Sequence, residues 1–318
     1  MQTIKFKVHF YMRLMNLQIA FLHVSGMLDH DEPSIGWIAK MKLIRMIHKG
    51  EVRPGIWKDG LIVDLKTIFP SIPDIGETFF REDWLEKLFS VNDPGIALNV
   101  RLISPICRPS KIICLGKNYA EHAKEGGFDK PDKPLLFCKA PSALSGPFDP
   151  IVLPQSSGQI DWEVELAVII GKTCRRISRS NAMDHIAGFT VMNDVSAREA
   201  QFGDVQWFRG KSFDTFAPLG PFLVTPDEIG DINNLQLTTR VDGVLMQDGN
   251  TRDLIFDIPF LLEYISKDIT LVPGDIISTG TPSGVGIFRN PPVVLKPGNV
   301  VECHIEAIGS IINLVKAG

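Results

Sequence analysis

Asp161-Trp162-Glu163-Val164-Glu165-Leu166-Ala167-Val168-Ile169-Ile170 opens acidic and closes apolar. Alternate residues of a strand face opposite sides. Asp161, Glu163 and Glu165 therefore share one face, with Trp162, Val164 and Leu166 on the other. The run into Ala-Val-Ile-Ile implies burial, and buried like charges need solvent, basic partners or a cation to neutralise them. Short β-like runs surround this one: KIICLG (111–116), HIAGFTVMND (185–194), LQLTTRVDGVLM (235–246), DIISTG (275–280) and NVVECHIEAIG (299–309). Turns rich in Gly, Pro, Asn and Asp separate them. FDIPFLLEYISKD (256–268) is the clearest helix among them. The elements do not alternate as βαβ, which disfavours a doubly wound sheet and leaves an irregular, β-rich α+β domain.

Upstream, MKLIRMIHKG (41–50) reads as an amphipathic strand. GEVRPGIWKDGLIVDL (50–65) reads as a hairpin turning at Lys58-Asp59-Gly60. Residues 75–93 mix charged and apolar positions at helical spacing. SPICRPSK (104–111), with Pro105 and Pro109, reads as a linker. The expected division is an N-terminal extension over 1–40, a small α+β domain over 41–106 and a catalytic domain over 107–318. Residues 1–28 carry Lys5, Lys7 and Arg13 and no acid, and their apolar stretch is interrupted by Asn16, Gln18, His23 and Ser25. They read as a misassigned start or a dispensable extension rather than a targeting signal.

The 318 residues hold 33 Lys+Arg against 37 Asp+Glu, a net charge of −4. That is too mild to imply a nucleic acid or an anionic membrane as partner. No apolar run approaches the ~18–20 residues that span a bilayer. The five cysteines (Cys107, Cys114, Cys138, Cys174 and Cys303) are scattered, with no CxxC pair. This argues against a zinc ribbon and for a reduced, cytoplasmic setting.

Chemistry concentrates at a few points. Asp194, closing an apolar run, adds a third carboxylate to Glu163 and Glu165. Three carboxylates without His or Cys form a hard oxygen site suited to Mg²⁺, Mn²⁺ or Ca²⁺. In GKNYAEHAKE (116–125), His122 and Glu125 lie one helical turn apart. A carboxylate there would orient the imidazole and raise its basicity, as a general base requires. In WFRGKSFD (207–214), Lys211 sits in apolar-aromatic surroundings where it could meet a substrate carboxylate. TGTPSGVG (279–286) could offer backbone N–H groups to an anion. It lacks the features of a P-loop or a dinucleotide fingerprint.

Taken in order and spacing, GKNYAEHAKE, PLLFCKAPSAL (134–144), DWEVELAVIIG, NDVSARE (193–199), GKSFDTFAPLGP (210–221) and TGTPSGVG resemble the signature of the fumarylacetoacetate hydrolase family. The match covers about residues 107–315. The resemblance implies a mixed β-roll catalytic domain, a small α+β N-terminal domain and a homodimer. It assigns Glu163, Glu165 and Asp194 to a Mg²⁺ or Mn²⁺ ion, and His122 and Glu125 to a catalytic dyad on a lid helix. Lys211 matches the family's active-site lysine. Arg198, Gln201, Thr281 and Lys139 fall on positions that line or approach the substrate. Cys138 departs from the usual apolar residue, a change that cysteine tolerates as a small hydrophobe.

The expected activity is metal-dependent hydrolysis of a C–C bond in an acylpyruvate or a 2,4-diketo-3-deoxy sugar acid, releasing pyruvate and a carboxylic acid. In this scheme Lys211 and Gln201 would stabilise the oxyanion. The runner-up is decarboxylation of a 2-oxo diacid of the oxaloacetate type, or a hydroxymuconate-type isomerisation and decarboxylation. A non-catalytic metal-binding relative is the remote alternative.

Overall fold

The computed structural model describes residues 40–318, so the reading of residues 1–39 lies outside the described residues. The strands, in chain order, are β1 (Lys42–His48), β2 (Glu51–Lys58), β3 (Leu61–Asp64), β4 (Arg101–Ile103), β5 (Ile112–Gly116), β6 (Leu135–Lys139), β7 (Leu144–Ser145), β8 (Ile151–Leu153) and β9 (Ile160–Asp161). They continue as β10 (Val164–Ile170), β11 (Ile186–Asn193), β12 (Ser196–Ala197), β13 (Ala217–Val224), β14 (Gln236–Val241), β15 (Val244–Asn250), β16 (Ile276–Ser278), β17 (Val300–Ile305) and β18 (Gly309–Ala317).

The main sheet runs β3-β2-β1-β13-β11-β10-β16-β5-β6, with β4 beside β1 and β7 beside β13. A second sheet runs β15-β14-β17-β18-β8, and β9 pairs with β12. Parallel pairs (β5 with β16, β7 with β13, β8 with β18) interrupt a mostly antiparallel arrangement. This is the irregular, β-rich α+β architecture expected from the sequence.

β10 and β11 form the centre of the main sheet and are buried along their full length. A strand covered on both faces needs apolar side chains on both, which explains the unbroken Leu166–Ile170 run. The turn at Asp59-Gly60 forms as read, and a second Asp-Gly turn divides the 235–246 run into two strands. Asp59 and Gly60 (φ +47° and +90°) close β2 onto β3, and Asp242 and Gly243 (φ +51° and +83°) close β14 onto β15. The helix Ile258–Ser266 starts where Asp257 caps it by accepting from the Phe260 N–H at 2.9 Å.

The 75–93 stretch is not one helix. It forms short turns over Glu77–Arg81, Trp84–Lys87 and Leu88–Ser90, because Asp83 takes a left-handed conformation (φ +54°) between them. The break lets Phe79, Phe80 and Trp84 all bury against the core.

The segment before residue 106 is bound into the main sheet. β1 pairs antiparallel with β13, Lys42 opposite Val224 and Leu43 opposite Leu223. One hydrophobic cluster runs through both parts, from Leu43, Ile56 and Phe79 to Val168, Phe189 and Leu219.

Candidate active site

The site grows from the β10–β11 ladder. Val164 pairs with Asn193 and Glu165 with Met192. One step further, the Asp194 N–H donates to the Glu163 carbonyl at 2.8 Å. Antiparallel pairing therefore sets Asp194 beside the Glu163–Glu165 face. Each of the three residues offers a carboxylate oxygen within 4.8 Å of the others. All three are buried, Asp194 completely.

Asp161 departs from the sequence reading. The strand is interrupted between β9 and β10, at Trp162 and Glu163, so Asp161 does not stand in line with the other acids. Its Oδ1 accepts from the N–H groups of Trp162 (2.9 Å) and Gly286 (2.7 Å). Its Oδ2 accepts from the Ile287 N–H (3.0 Å) and from Arg198 Nε (3.0 Å) and Nη2 (2.8 Å). Asp161 thus anchors an arginine and the loop after TGTPSGVG.

Three buried cations face the acids. Lys211 Nζ donates to Glu163 Oε2 and Asp194 Oδ2, both at 2.8 Å. Lys139, at the end of β6, donates to Asp194 Oδ1 at 2.5 Å and to the Val195 carbonyl at 3.1 Å. Arg198 Nη1 lies 2.7 Å from Glu163 Oε1 and donates to Gln201 Oε1 at 3.0 Å. Burial opposes charge on Glu163, but Lys211 and then Arg198 overcome it and bring its pKa down to about 2. Burial also disfavours the Lys211 ammonium, and Asp194 with Glu163 outweigh it, holding the pKa above that of an ordinary lysine. At Lys139 burial prevails over Asp194 and lowers the pKa.

Glu165 is the exception among the three. It accepts from Ser278 Oγ at 2.5 Å and from the Gly280 N–H at 2.9 Å, both neutral donors. Burial, then Asp194 and Glu163, push its pKa well above the carboxylate range. A divalent cation among the three oxygens would relieve that repulsion. The donor set, all hard carboxylate oxygen, fits Mg²⁺ or Mn²⁺.

His122 and Glu125 lie on the helix Ala120–Glu125, with His122 Nδ1 3.4 Å from Glu125 Oε2. Both Glu125 oxygens accept from the Gly284 N–H, at 3.0 and 3.1 Å. The helix is thereby fastened to the Gly-rich turn. Gly284 sits at φ +102°, and a Cβ there would lie 2.2 Å from the Met246 carbonyl oxygen. Only glycine fits this close approach.

His122, Glu163, Glu165, Arg198, Gln201, Lys211 and Thr281 line one pocket. Asp194 lies behind it, bonded to the lining Lys211, Lys139 lies behind Asp194, and Glu125 stands behind His122. Thr281 is fixed from two sides, donating to the Val164 carbonyl (2.9 Å) and accepting from Gln247 Nε2 (2.8 Å).

Sequence reasoning missed the support for Glu165 from Ser278 and Gly280, and the aromatic wall of Phe128, Phe137, Trp207 and Phe288. Ser278 had a signal: it is the polar residue ending the apolar Ile276-Ile277 run. The aromatic wall had none, because its members come from separate loops and strands.

The family description fumarylacetoacetate (FAA) hydrolase C-terminal matches residues 111–316. The chain is 46% identical over 266 residues to the bovine protein named oxaloacetate tautomerase FAHD2B, mitochondrial, covering 80% of this chain and 84% of that one. The human protein named oxaloacetate tautomerase FAHD2A, mitochondrial, is 44% identical over the same shares. Among solved structures, a fumarylacetoacetate hydrolase from Exiguobacterium antarcticum superposes with a TM-score of 0.78 at 40% identity, over 87% of this chain and all of that one. A 5-carboxymethyl-2-hydroxymuconate delta-isomerase from Mycobacterium smegmatis does so with a TM-score of 0.72 at 35% identity, over the same shares. The motifs noted in the sequence and these matches agree: the chain belongs to the fumarylacetoacetate hydrolase family of enzymes.

Proposed function

We propose that the chain acts on a small 2-oxo diacid of the oxaloacetate type and moves a proton between its enol and keto forms. The observation that carries this reading is His122, backed by Glu125 at 3.4 Å, lining the same pocket as the three-carboxylate cluster. The reading is also supported by relatives named oxaloacetate tautomerase and by a structural neighbour named an isomerase. These names favour the runner-up reading over hydrolysis of an acylpyruvate.

Glu163, Glu165 and Asp194 would hold Mg²⁺ or Mn²⁺. When bound, the ion supplies Lewis-acid stabilisation of negative charge on the 2-oxo oxygen. In the enol-to-keto direction the C2 hydroxyl loses a proton and C3 gains one. His122, with Nδ1 turned to Glu125, keeps Nε2 for delivery or removal of the C3 proton. Lys211 contributes a positive charge beside the enolate, and Arg198 and Gln201 brace the wall of the pocket. Phe128, Phe137, Trp207 and Phe288 give the pocket an apolar wall beside the site of the enolate.

The test follows the enol absorbance of oxaloacetate with Mg²⁺ present, alongside pyruvate release from oxaloacetate and from acetylpyruvate. Faster loss of the enol than in buffer is expected. Pyruvate release from acetylpyruvate without any effect on the enol would restore the hydrolase reading and overturn this one.

The homodimer belongs to the same proposal, with light scattering expected to give twice the chain mass. No described helix is long and apolar enough to cross a membrane. All five cysteines are free, which suits a reducing compartment. We retain the cytoplasm as the proposed location, against the mitochondrial names of the relatives. Fractionation of the native host distinguishes the two.

A further inference from the structure

The pocket holds several cations, and most are already matched. Lys211 is shared by Glu163 and Asp194, and Arg198 is held by Asp161, Glu163 and Gln201. Lys139, behind them, is taken by Asp194. Lys117 differs. It lines the same pocket, and among the described residues no carboxylate lies within ion-pair distance of it. Its ammonium instead rests 3.5 Å from the centroid of the Phe128 ring. A cation over an aromatic face keeps much of its capacity to bind an anion, because the ring offers a quadrupole and no counter-charge.

The position is built. Lys117 takes a left-handed conformation (φ +58°), uncommon for a residue with a Cβ. The next residue, Asn118, is almost fully buried and locks the turn. Its Nδ2 donates to the carbonyls of Thr279 (2.8 Å) and Phe256 (3.1 Å), and its Oδ1 accepts from the Phe256 N–H (2.9 Å). The aromatic contact continues across the rim. Phe128 meets Phe288 at 6.5 Å between ring centroids, and Phe288 meets His122 at 6.1 Å. Lys117 and His122 therefore belong to one continuous edge of the pocket.

We infer that Lys117 is the specificity residue for the distal carboxylate of the substrate. This rests on reading the pocket as a 2-oxo acid site. The 2-oxo acid end would face the three carboxylates and their ion. The far carboxylate would meet the ammonium without a carboxylate partner, with Phe128 closing over the pair. A dicarboxylate would be preferred over a 2-oxo acid of the same length that ends in a methyl group.

The test measures binding by calorimetry to the Mg²⁺-loaded full chain. The ligands are oxaloacetate, 2-oxobutanoate, which replaces the distal carboxylate with methyl, and oxalate, which has no distal arm. Lys117→Met is expected to weaken oxaloacetate by about tenfold to a hundredfold, the size of one charge-assisted hydrogen bond. It should leave 2-oxobutanoate and oxalate nearly unchanged, and Lys117→Arg should recover most of the loss. Equal weakening of all three ligands, or no weakening of oxaloacetate, overturns the assignment. Selective weakening with no tautomerase activity in the wild type keeps the assignment and removes the proposed reaction. If neither oxaloacetate nor oxalate binds the wild type, both readings fall.

Discussion

Asp161→Asn tests whether the interrupted strand separates the anchoring acid from the metal-holding acids. Asp161 is fully buried and accepts five hydrogen bonds, two from Arg198 and three from backbone N–H groups. Asparagine is nearly the same size. It can keep one oxygen on the Gly286 and Trp162 donors, but its NH₂ then faces the Ile287 N–H and the Arg198 guanidinium. Donors meet donors, and Arg198 loses one of its two carboxylates. Removing one partner of a buried ion pair costs about 3–5 kcal/mol. For 318 residues, at about 2.1 cal/mol/K of unfolding entropy per residue, 1 kcal/mol corresponds to about 1.5 °C in melting temperature, so a fall of roughly 5–8 °C is expected.

Differential scanning fluorimetry with and without Mg²⁺ reads the stability, and calorimetry reads the Mg²⁺ affinity. The expected pattern is a large fall in Tm with Mg²⁺ affinity within a few-fold of wild type. Glu163→Gln should instead lose Mg²⁺ affinity. An unchanged Tm for Asp161→Asn would refute the anchoring argument. A loss of Mg²⁺ affinity equal to that of Glu163→Gln would return Asp161 to the acidic face on which its spacing first placed it.

The other predictions concern the surroundings of the same site. Ser278→Ala removes a 2.5 Å hydrogen bond from Glu165 and should weaken Mg²⁺ binding about tenfold, measured by calorimetry. His122→Ala should slow enol–keto conversion by about a hundredfold or more while Mg²⁺ affinity stays constant, and equal turnover would remove His122 as the proton carrier. Gly284→Ala forces a Cβ toward the Met246 carbonyl and disturbs the N–H that holds Glu125, so both Tm and kcat should fall. Burial lowers the His304 pKa against the pull of Glu302 and Glu306, so folding favours the neutral ring. This part of the stability is intact above the ordinary histidine pKa of 6.5 and is lost as pH falls below it. His304→Gln should flatten the Tm–pH curve there.

Much of the site was legible in the sequence because its signals are local. Glu163 and Glu165 are two apart on one strand, and His122 and Glu125 are one turn apart on one helix. The Asp59-Gly60 turn and the helix within 256–268 also depend on adjacent residues. What was not legible depends on distant partners. Nothing near Asp161 announces Arg198 or the 286–287 backbone, so alternation alone placed it with the other acids. The left-handed Asp83 that divides the 75–93 stretch answers to where Phe79, Phe80 and Trp84 pack, which the helical spacing does not encode. The partner of β1 is equally remote: its edge belongs to β13.

That last pairing bears on how the chain is made. Met41 bonds to Thr225 across 184 residues, and β1 completes its edge only against β13. During synthesis the β1–β2–β3 hairpins leave the ribosome early; β4 then covers Arg45–Ile47, but Lys42 and Leu43 stay unpaired on that side until more than half the chain has followed. An uncovered edge at Lys42 and Leu43 invites pairing with other nascent chains. Slow elongation or scarce chaperone would therefore reduce yield first through this edge. A fragment beginning at residue 111 would leave the β13 side of the same seam open.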